Sequence, residues 1–159
     1  MQPDQESSYF VYTIGRQRYG LPVSCVVRVV PAVEVTAIPD APGRILGVVD
    51  FEGTVIPVLN ARLILNIPDK ETELSDFLVI VTTTTTLMAF FTDDIEGVIA
   101  GHAMEPPPAV TLLHASGMIE GILKDEQGMI LIQGLQDTEK DLPADREALQ
   151  RIAQESLIE

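Results

Sequence analysis

The fold is decided by residues 45–58, which read ILGVVDFEGTVIPV. Two aliphatic runs flank a polar turn that ends in Gly53, a residue type that accepts the positive φ of a tight hairpin. An I-x-G step opens the first run, and Gly47 in that step permits a bulge or a close backbone approach. The stretch therefore predicts a β-hairpin of the kind found in small barrels.

The same pattern returns in residues 119–132, which read IEGILKDEQGMILI with one extra turn residue. Each copy follows an earlier hairpin, which starts at Phe10 in the first copy and at Phe77 in the second. A single hairpin of this type arises by chance in any β-rich chain, but two in matching order indicate an internal duplication. We therefore expect a mainly β fold with two barrel lobes and a polar linker at residues 66–76.

Further strands are predicted where short β-branched runs lie between Gly and Pro breaks. A turn at residues 15–18 closes the first hairpin, Val26 and Val29 follow it as an apolar turn, and strands are expected at residues 32–38, 45–51, 54–59, 77–81, 87–91, 97–100, 119–124 and 129–132. Asn60 is the predicted N-cap of a short helix over residues 60–65. Leucine and isoleucine at spacings of three and four predict a second helix over residues 143–159.

These elements suggest a division of the chain into one two-lobed domain and a tail. The domain covers residues 9–140, with lobes at about 9–65 and 77–135 and with a crossing of the chain between lobes left open. Residues 141–159 form the expected C-terminal helix. At 46% hydrophobic residues the chain is able to fill a sizeable core.

Composition narrows the classes of partner. Ten Lys and Arg face 24 Asp and Glu, so the formal charge is −14 and phosphate backbones and anionic lipids are repelled. Cys25 is the single cysteine, which excludes an internal disulfide and predicts a buried, inert thiol. The first residues, MQPDQESS, are unlike a signal sequence, and the apolar runs are too short to span a bilayer, so we expect a cytoplasmic protein.

The residues required for most kinds of catalysis are missing. Only His102 and His114 could serve as a histidine base, and no G-x-S-x-G, zinc, calcium or phosphate-binding motif accompanies them, so no metal or cofactor is expected. Carboxylates beside apolar residues leave one enzymatic alternative. In it, apolar surroundings raise the pKa of a carboxyl group, which then acts as the acid in the reaction. The acids concerned are Asp50, Glu52, Asp93 and Asp94.

Three stretches in a fixed order carry a resemblance to a known family. They are residues 10–15 (FVYTIG) with 19–21 (YGL), residues 35–62, and residues 121–122 (GI) with 129–132 (MILI). Together they resemble the CheW family of chemotaxis coupling proteins. The resemblance implies two SH3-like five-stranded barrels and a non-catalytic adaptor that couples the cytoplasmic tips of chemoreceptors to the regulatory domain of the histidine kinase CheA. It implies neither a cofactor, nor nucleic acid, nor direct membrane contact.

The resemblance also implies partner contacts at specific positions. Carried over by position, the candidates are Val26, Arg28, Val35, Gly47, Glu52, Gly53 and Arg62. A purely structural interpretation makes the valines core residues, the glycines turn requirements and the charged residues solvated surface. For Arg62 the two interpretations are equally supported.

Two of these candidates depart from the family in an informative way. The family commonly has Glu at position 28 and Arg at position 52, whereas this chain has Arg28 and Glu52. If the two side chains touch, the pair is kept with its charges exchanged, and a reversed pattern rejects partners that fit the usual one. The hypothesis is a dedicated chemosensory array with matching surfaces; the alternative is a CheW-like scaffold of a divergent pathway.

Overall fold

The computed structural model describes residues 8–83, 86–101 and 119–133. In chain order its elements are β1 Ser8–Ile14, β2 Gln17–Pro22, a 3₁₀ helix Val23–Cys25, β3 Val26–Pro31, β4 Ile45–Phe51, β5 Thr54–Leu59, α1 Ala61–Ile64, β6 Phe77–Thr82, β7 Leu87–Thr92, β8 Asp94–Ala100, β9 Ile119–Asp125 and β10 Gly128–Gln133. The mainly β prediction is confirmed. The C-terminal helix, His102 and His114 fall outside the described residues.

The strands form two five-stranded sheets with equivalent orders. The first sheet runs β8-β1-β2-β10-β9 and the second runs β3-β6-β7-β5-β4. The first repeat supplies β1–β5 and the second supplies β6–β10. If each strand is replaced by its equivalent in the other repeat, one order becomes the other. Each sheet takes a hairpin from one repeat and three strands from the other, so the chain crosses between the lobes and the sheets do not follow a division at residues 66–76.

The repeated I-x-G motif produces the same irregularity in both sheets. In β4 the register shifts between Ile45 and Gly47, and in β9–β10 it shifts next to the pair of Ile119 with Gln133. A bulge of this kind bends the strand and increases its twist, which a small barrel requires. The duplication seen in the sequence is therefore a duplication of barrel geometry.

The described residues form three apolar clusters, and the alternation of strand residues decides which cluster each side chain joins. In β1, Tyr9 and Val11 enter a cluster with β9 and β10 of the first sheet, whereas Phe10 and Tyr12 enter a cluster shared by both sheets. The second sheet has its own cluster, which includes Ile56. Because both faces of β1 are covered, its sequence reads as a nearly continuous apolar run.

The sequence-based assignment around residues 26–38 was wrong. Val26–Pro31 is strand β3, paired with β6, rather than an apolar turn. Residues 32–38, predicted as a strand, form only one bridge, between Thr36 and Val48. The apolar pattern there reflects packing of Val35 and Ile38 against the clusters and not a ladder of hydrogen bonds.

The short helix forms as predicted. The side chain of Asn60 accepts a hydrogen bond from the Leu63 amide, which satisfies one of the free N–H groups at the start of α1. In the described ranges, no helix combines the length and apolar character needed to cross a bilayer.

The two edge strands of the first sheet are tied together by one arginine. Arg18 in β2 donates to both carboxylate oxygens of Glu96 in β8, at 2.9 Å each, and to both of Asp125 in β9, at 2.8 Å each. Two bidentate pairs on one guanidinium provide directional closure of the lobe. The hydrogen bonds from Arg18 lower the pKa of Asp125 to about 2.

This network predicts acid sensitivity. Because the folded pKa of Asp125 lies below its ordinary value of 3.8, its stabilising contribution is present above that value and is lost as pH falls towards about 2. Urea unfolding followed between about pH 5 and about pH 2 should show stability decreasing with acid, and less steeply in Arg18→Gln than in the parent chain. Equal slopes in both proteins would contradict this role of the network. The parent is compared with Arg18→Gln because the lowered pKa of Asp93 also makes stability fall in acid, and only the difference between the two proteins reports on Arg18.

Candidate partner-binding surface

Arg28 and Glu52 are in contact on the outside of the second sheet. The Nη1 atom of Arg28 lies 3.3 Å from a carboxylate oxygen of Glu52, and the guanidinium carbon lies 5.4 Å from the centre of the Phe51 ring. Both charged side chains remain more than half exposed, at 53% and 62%. The condition on which the charge-exchange hypothesis rested, that the two side chains touch, is met.

The backbone of the β4–β5 hairpin presents Glu52 at its tip. Glu52 has φ 51° and Gly53 has φ 87°, the pair of positive values that a two-residue hairpin loop demands. The amide of Gly53 donates to Asp50 Oδ1 at 2.9 Å, which braces the turn. Glycine, asparagine and aspartate suit such a φ better than glutamate does, so the glutamate side chain is retained at some cost in strain.

Gly47 has a structural role behind this surface. A Cβ atom on Gly47 would lie 2.2 Å from the carbonyl oxygen of Thr36 and 2.7 Å from Cγ1 of Val35. The segment that follows β3 therefore crosses directly over β4, where Thr36 and Val48 exchange hydrogen bonds of 2.9 Å. Val35 contacts this crossing point and packs against the cluster of the second sheet.

Apolar side chains accompany the charged pair on the same part of the chain. Val27 in β3 is 44% exposed and Val33, just beyond that strand, is 45% exposed. Val26 is half-buried and packs against the shared cluster. Six of the seven predicted contact residues thus lie on β3, the segment after it, β4 and the β4–β5 turn.

Arg62 is the exception, since it lies at the junction of the two sheets. Its guanidinium donates to Asp93 Oδ2 at 2.7 Å and to the carbonyl oxygen of Pro68 at 2.8 Å, and its side chain is 16% exposed. Asp93 stands between β7 of the second sheet and β8 of the first. Arg62 is therefore paired within the chain and mostly buried, which differs from the solvated surface position that the structural interpretation gave it.

A cleft of about 230 Å³ opens beside this junction. Its charged lining includes Arg62, Lys70, Asp76 and Asp93. Lys70 Nζ lies 3.3 Å from Asp76 Oδ1 and 3.3 Å from Asp93 Oδ1. The two cations in this lining are thus already paired with carboxylates of the same chain. Reasoning from sequence found neither Lys70 nor the role of Asp93, because the partners come from distant segments.

Asp93 does not have the raised pKa that the enzymatic alternative required of an acid. Partial burial pushes the pKa of Asp93 upwards, but hydrogen bonds from Gly15, Arg62 and Lys70 outweigh burial and hold the pKa below its usual value. A general acid needs the opposite shift. Asp50 and Asp94 accept local backbone hydrogen bonds from Gly53 and Ile95.

Known proteins have sequences similar to that of this chain. Residues 8–136 match the family described as CheW-like domain. The chemotaxis protein CheW of Helicobacter pylori (strain ATCC 700392 / 26695) is 23% identical over 134 residues, covering 82% of this chain and 81% of the relative. The chemotaxis protein CheW of Bacillus subtilis (strain 168) is 25% identical over 124 residues, covering 77% and 80%.

A solved structure shows the same fold. The crystal structure of the scaffolding protein TtCheW from Thermoanaerobacter tengcongensis matches with a TM-score of 0.74 at 28% identity, covering 81% of this chain and 89% of that one. The predicted two-lobed SH3-like fold is confirmed by this likeness together with the two five-stranded sheets. Since the family match extends over residues 8–136, the chain belongs to the CheW-like domain family.

Proposed function

We propose that this protein is a non-catalytic chemotaxis adaptor that couples the cytoplasmic tips of chemoreceptors to the regulatory domain of a CheA-type histidine kinase. The observation that carries the proposal is the family match over residues 8–136, which covers both barrels and the surface around Arg28 and Glu52. Relatives bearing the description chemotaxis protein CheW support the pathway. The adaptor works in the cytoplasm and is recruited to receptor arrays at the membrane.

The part we assign to partner contact is the surface formed by the β4–β5 turn, β3 and the segment that follows β3. It combines an exposed ion pair, the half-buried ring of Phe51 under Arg28, and exposed valines of β3 and the segment after it. Aromatic and arginine side chains of this kind supply much of the affinity at protein interfaces, and charges beside them select the partner. The strained conformation of Glu52 supports a role for that side chain beyond folding.

The coupling function is tested by a pull-down with the purified protein, the regulatory domain of the cognate kinase and a receptor signalling fragment. We expect all three components to be recovered together. Recovery of neither partner would overturn the coupling role and favour the second candidate, a scaffold of a divergent chemosensory pathway. The exchanged charges of Arg28 and Glu52 fit either candidate, because in both the partner surface must carry charges that match the reversed pair.

The charge pair yields a separate prediction. Arg28→Glu and Glu52→Arg each place like charges together, and each should weaken kinase binding by about tenfold or more. The double swap restores the pair and should bind better than the weaker single variant. Folding stability should change by less than about 1 kcal/mol, since the pair is exposed. Binding is measured by calorimetry with the kinase regulatory domain.

Arg16→Glu is the matched control for Arg28→Glu. Arg16 is exposed in the β1–β2 turn of the other sheet, so its substitution makes the same change in net charge at a different place. Its affinity for the kinase should stay within about twofold of the parent. A double swap that binds no better than the weaker single variant would show that the pairing is irrelevant.

A further inference from the structure

The chain passes from the second sheet to the first at a single residue, Asp93. It follows the last residue of β7 and precedes the first residue of β8. Its backbone amide donates to the carbonyl oxygen of Thr13 at the end of β1, at 2.9 Å. Any rotation of one sheet relative to the other therefore moves the neighbours of this residue.

The carboxylate of Asp93 collects bonds from both sides of the junction. Oδ2 accepts from the Gly15 amide in the β1–β2 turn of the first sheet, at 2.8 Å. The same oxygen accepts from Arg62 on α1, which directly follows β5 of the second sheet, at 2.7 Å. One oxygen atom thus joins a turn of the first sheet to a helix attached to the second.

The segment between the two repeats is held by the same group. Arg62 also donates to the carbonyl oxygen of Pro68, and Lys70 bridges Asp93 to Asp76. Asp76 is almost fully buried and accepts from the Glu73 amide at 2.7 Å. The polar segment that the sequence predicts as a linker is therefore fastened at the junction through charge-assisted hydrogen bonds.

These bonds supply what the shared apolar cluster lacks. Burial of side chains such as Tyr12 and Phe90 between the sheets holds the lobes together, but the hydrophobic effect is non-directional and does not by itself specify one angle between them. Short hydrogen bonds to a carboxylate depend strongly on distance and angle. The bonds at Asp93 therefore add a directional restraint between the lobes that apolar burial alone does not supply.

We propose that Asp93, Arg62 and Lys70 are positioning residues, which we call the junction clamp, and that they fix the angle between the lobes so that the two lobes hold two protein partners at once. The second part rests on the proposed adaptor function. Because the clamp residues are paired within the chain, they act through geometry and not through contact with a partner. Binding of one partner alone does not require a fixed angle, whereas simultaneous binding does.

The first experiment measures the angle directly in the free protein. Spin labels are placed at Thr54→Cys in the second sheet and at Glu126→Cys in the first, both exposed positions, in a Cys25→Ser background. Pulsed electron resonance should give one narrow distance distribution for the parent and a broader one for Asp93→Asn. Arg62→Gln, which leaves the Gly15 and Lys70 bonds to Asp93 in place, should show an intermediate width and guards against failure of Asp93→Asn to fold.

Asp69→Asn is the matched control, because Asp69 lines the same cleft and its substitution removes the same charge. Its distribution should equal that of the parent. Clamp variants whose distributions also equal that of the parent, with near-ultraviolet circular dichroism showing intact packing, would overturn the proposal.

The second experiment separates the clamp from the adaptor function. For Asp93→Asn, affinities for the kinase domain alone and the receptor fragment alone should stay within about twofold of the parent, while assembly of the three-component complex falls by about tenfold. Equal loss in all three measurements would indicate a merely structural role and overturn the positioning role. Failure of the parent itself to bind either partner would count against the adaptor function only, since the distance measurement still decides whether the clamp sets the angle.

Discussion

Gly47→Val is expected to lower the free energy of unfolding by at least about 3 kcal/mol. A Cβ atom there would lie 2.2 Å from the carbonyl oxygen of Thr36, a backbone atom that a change of side-chain rotamer cannot move away. Relieving the clash means moving that segment away, which breaks both hydrogen bonds between Thr36 and Val48. Urea unfolding monitored by circular dichroism measures the loss.

Gly53→Ala is the matched control for the effect of Gly47. Gly53 has φ 87° but nothing within 4 Å of an added Cβ, so only backbone strain of about 1–2 kcal/mol is expected. If Gly47→Val were as stable as Gly53→Ala, the close approach of residues 35–36 to β4 would not limit this position. Both glycines were also predicted as partner contacts. Measuring partner binding by the two variants therefore tests whether binding is lost only to the extent that folding is lost.

Tyr12→Ala is expected to destabilise the chain by about 3–5 kcal/mol. Tyr12 is fully buried between the two sheets, and its ring centre lies 5.4 Å from that of Phe90 across the interface. Truncation leaves a cavity lined by both sheets, and neither sheet can close it without shifting the other. Val98→Ala, at a position that is 61% exposed, should change stability by less than about 0.5 kcal/mol.

Tyr12→Phe is expected not to destabilise the chain. The hydroxyl group of Tyr12 is buried and has no hydrogen-bond partner in the part of the chain that the structure describes. Burial is the main cause that raises the pKa of Tyr12 well above its ordinary value, and the nearby Tyr19 is a smaller cause, so the group stays neutral. Removing an unpaired hydroxyl should leave stability unchanged or raise it by about 1–2 kcal/mol. Destabilisation beyond about 1 kcal/mol would mean that the hydroxyl makes a favourable bond.

The candidate site was only partly visible in the sequence. Position by position, the resemblance to CheW identified Arg28 and Glu52, and the structure shows that these two side chains meet. It offered no means of deciding about Arg62, whose partners Asp93 and Pro68 follow no sequence spacing rule. Phe51 is not among the seven candidates, and its position under the Arg28 guanidinium was visible only in the structure.

Local sequence alone determined the hairpins and the helix cap. The strands Ile45–Phe51 and Thr54–Leu59 have the predicted bounds, and the cap at Asn60 forms, because turn geometry and capping depend on residues a few positions apart. The duplication was visible for the same reason. Only the tertiary structure decided how the strands are shared between the sheets, that residues 32–38 cross over β4 without forming a strand, and that Asp93 joins the lobes. An apolar run such as β1 indicates that both of its faces are buried, but the identity of the covering strands depends on how distant segments compete for the same edges and faces.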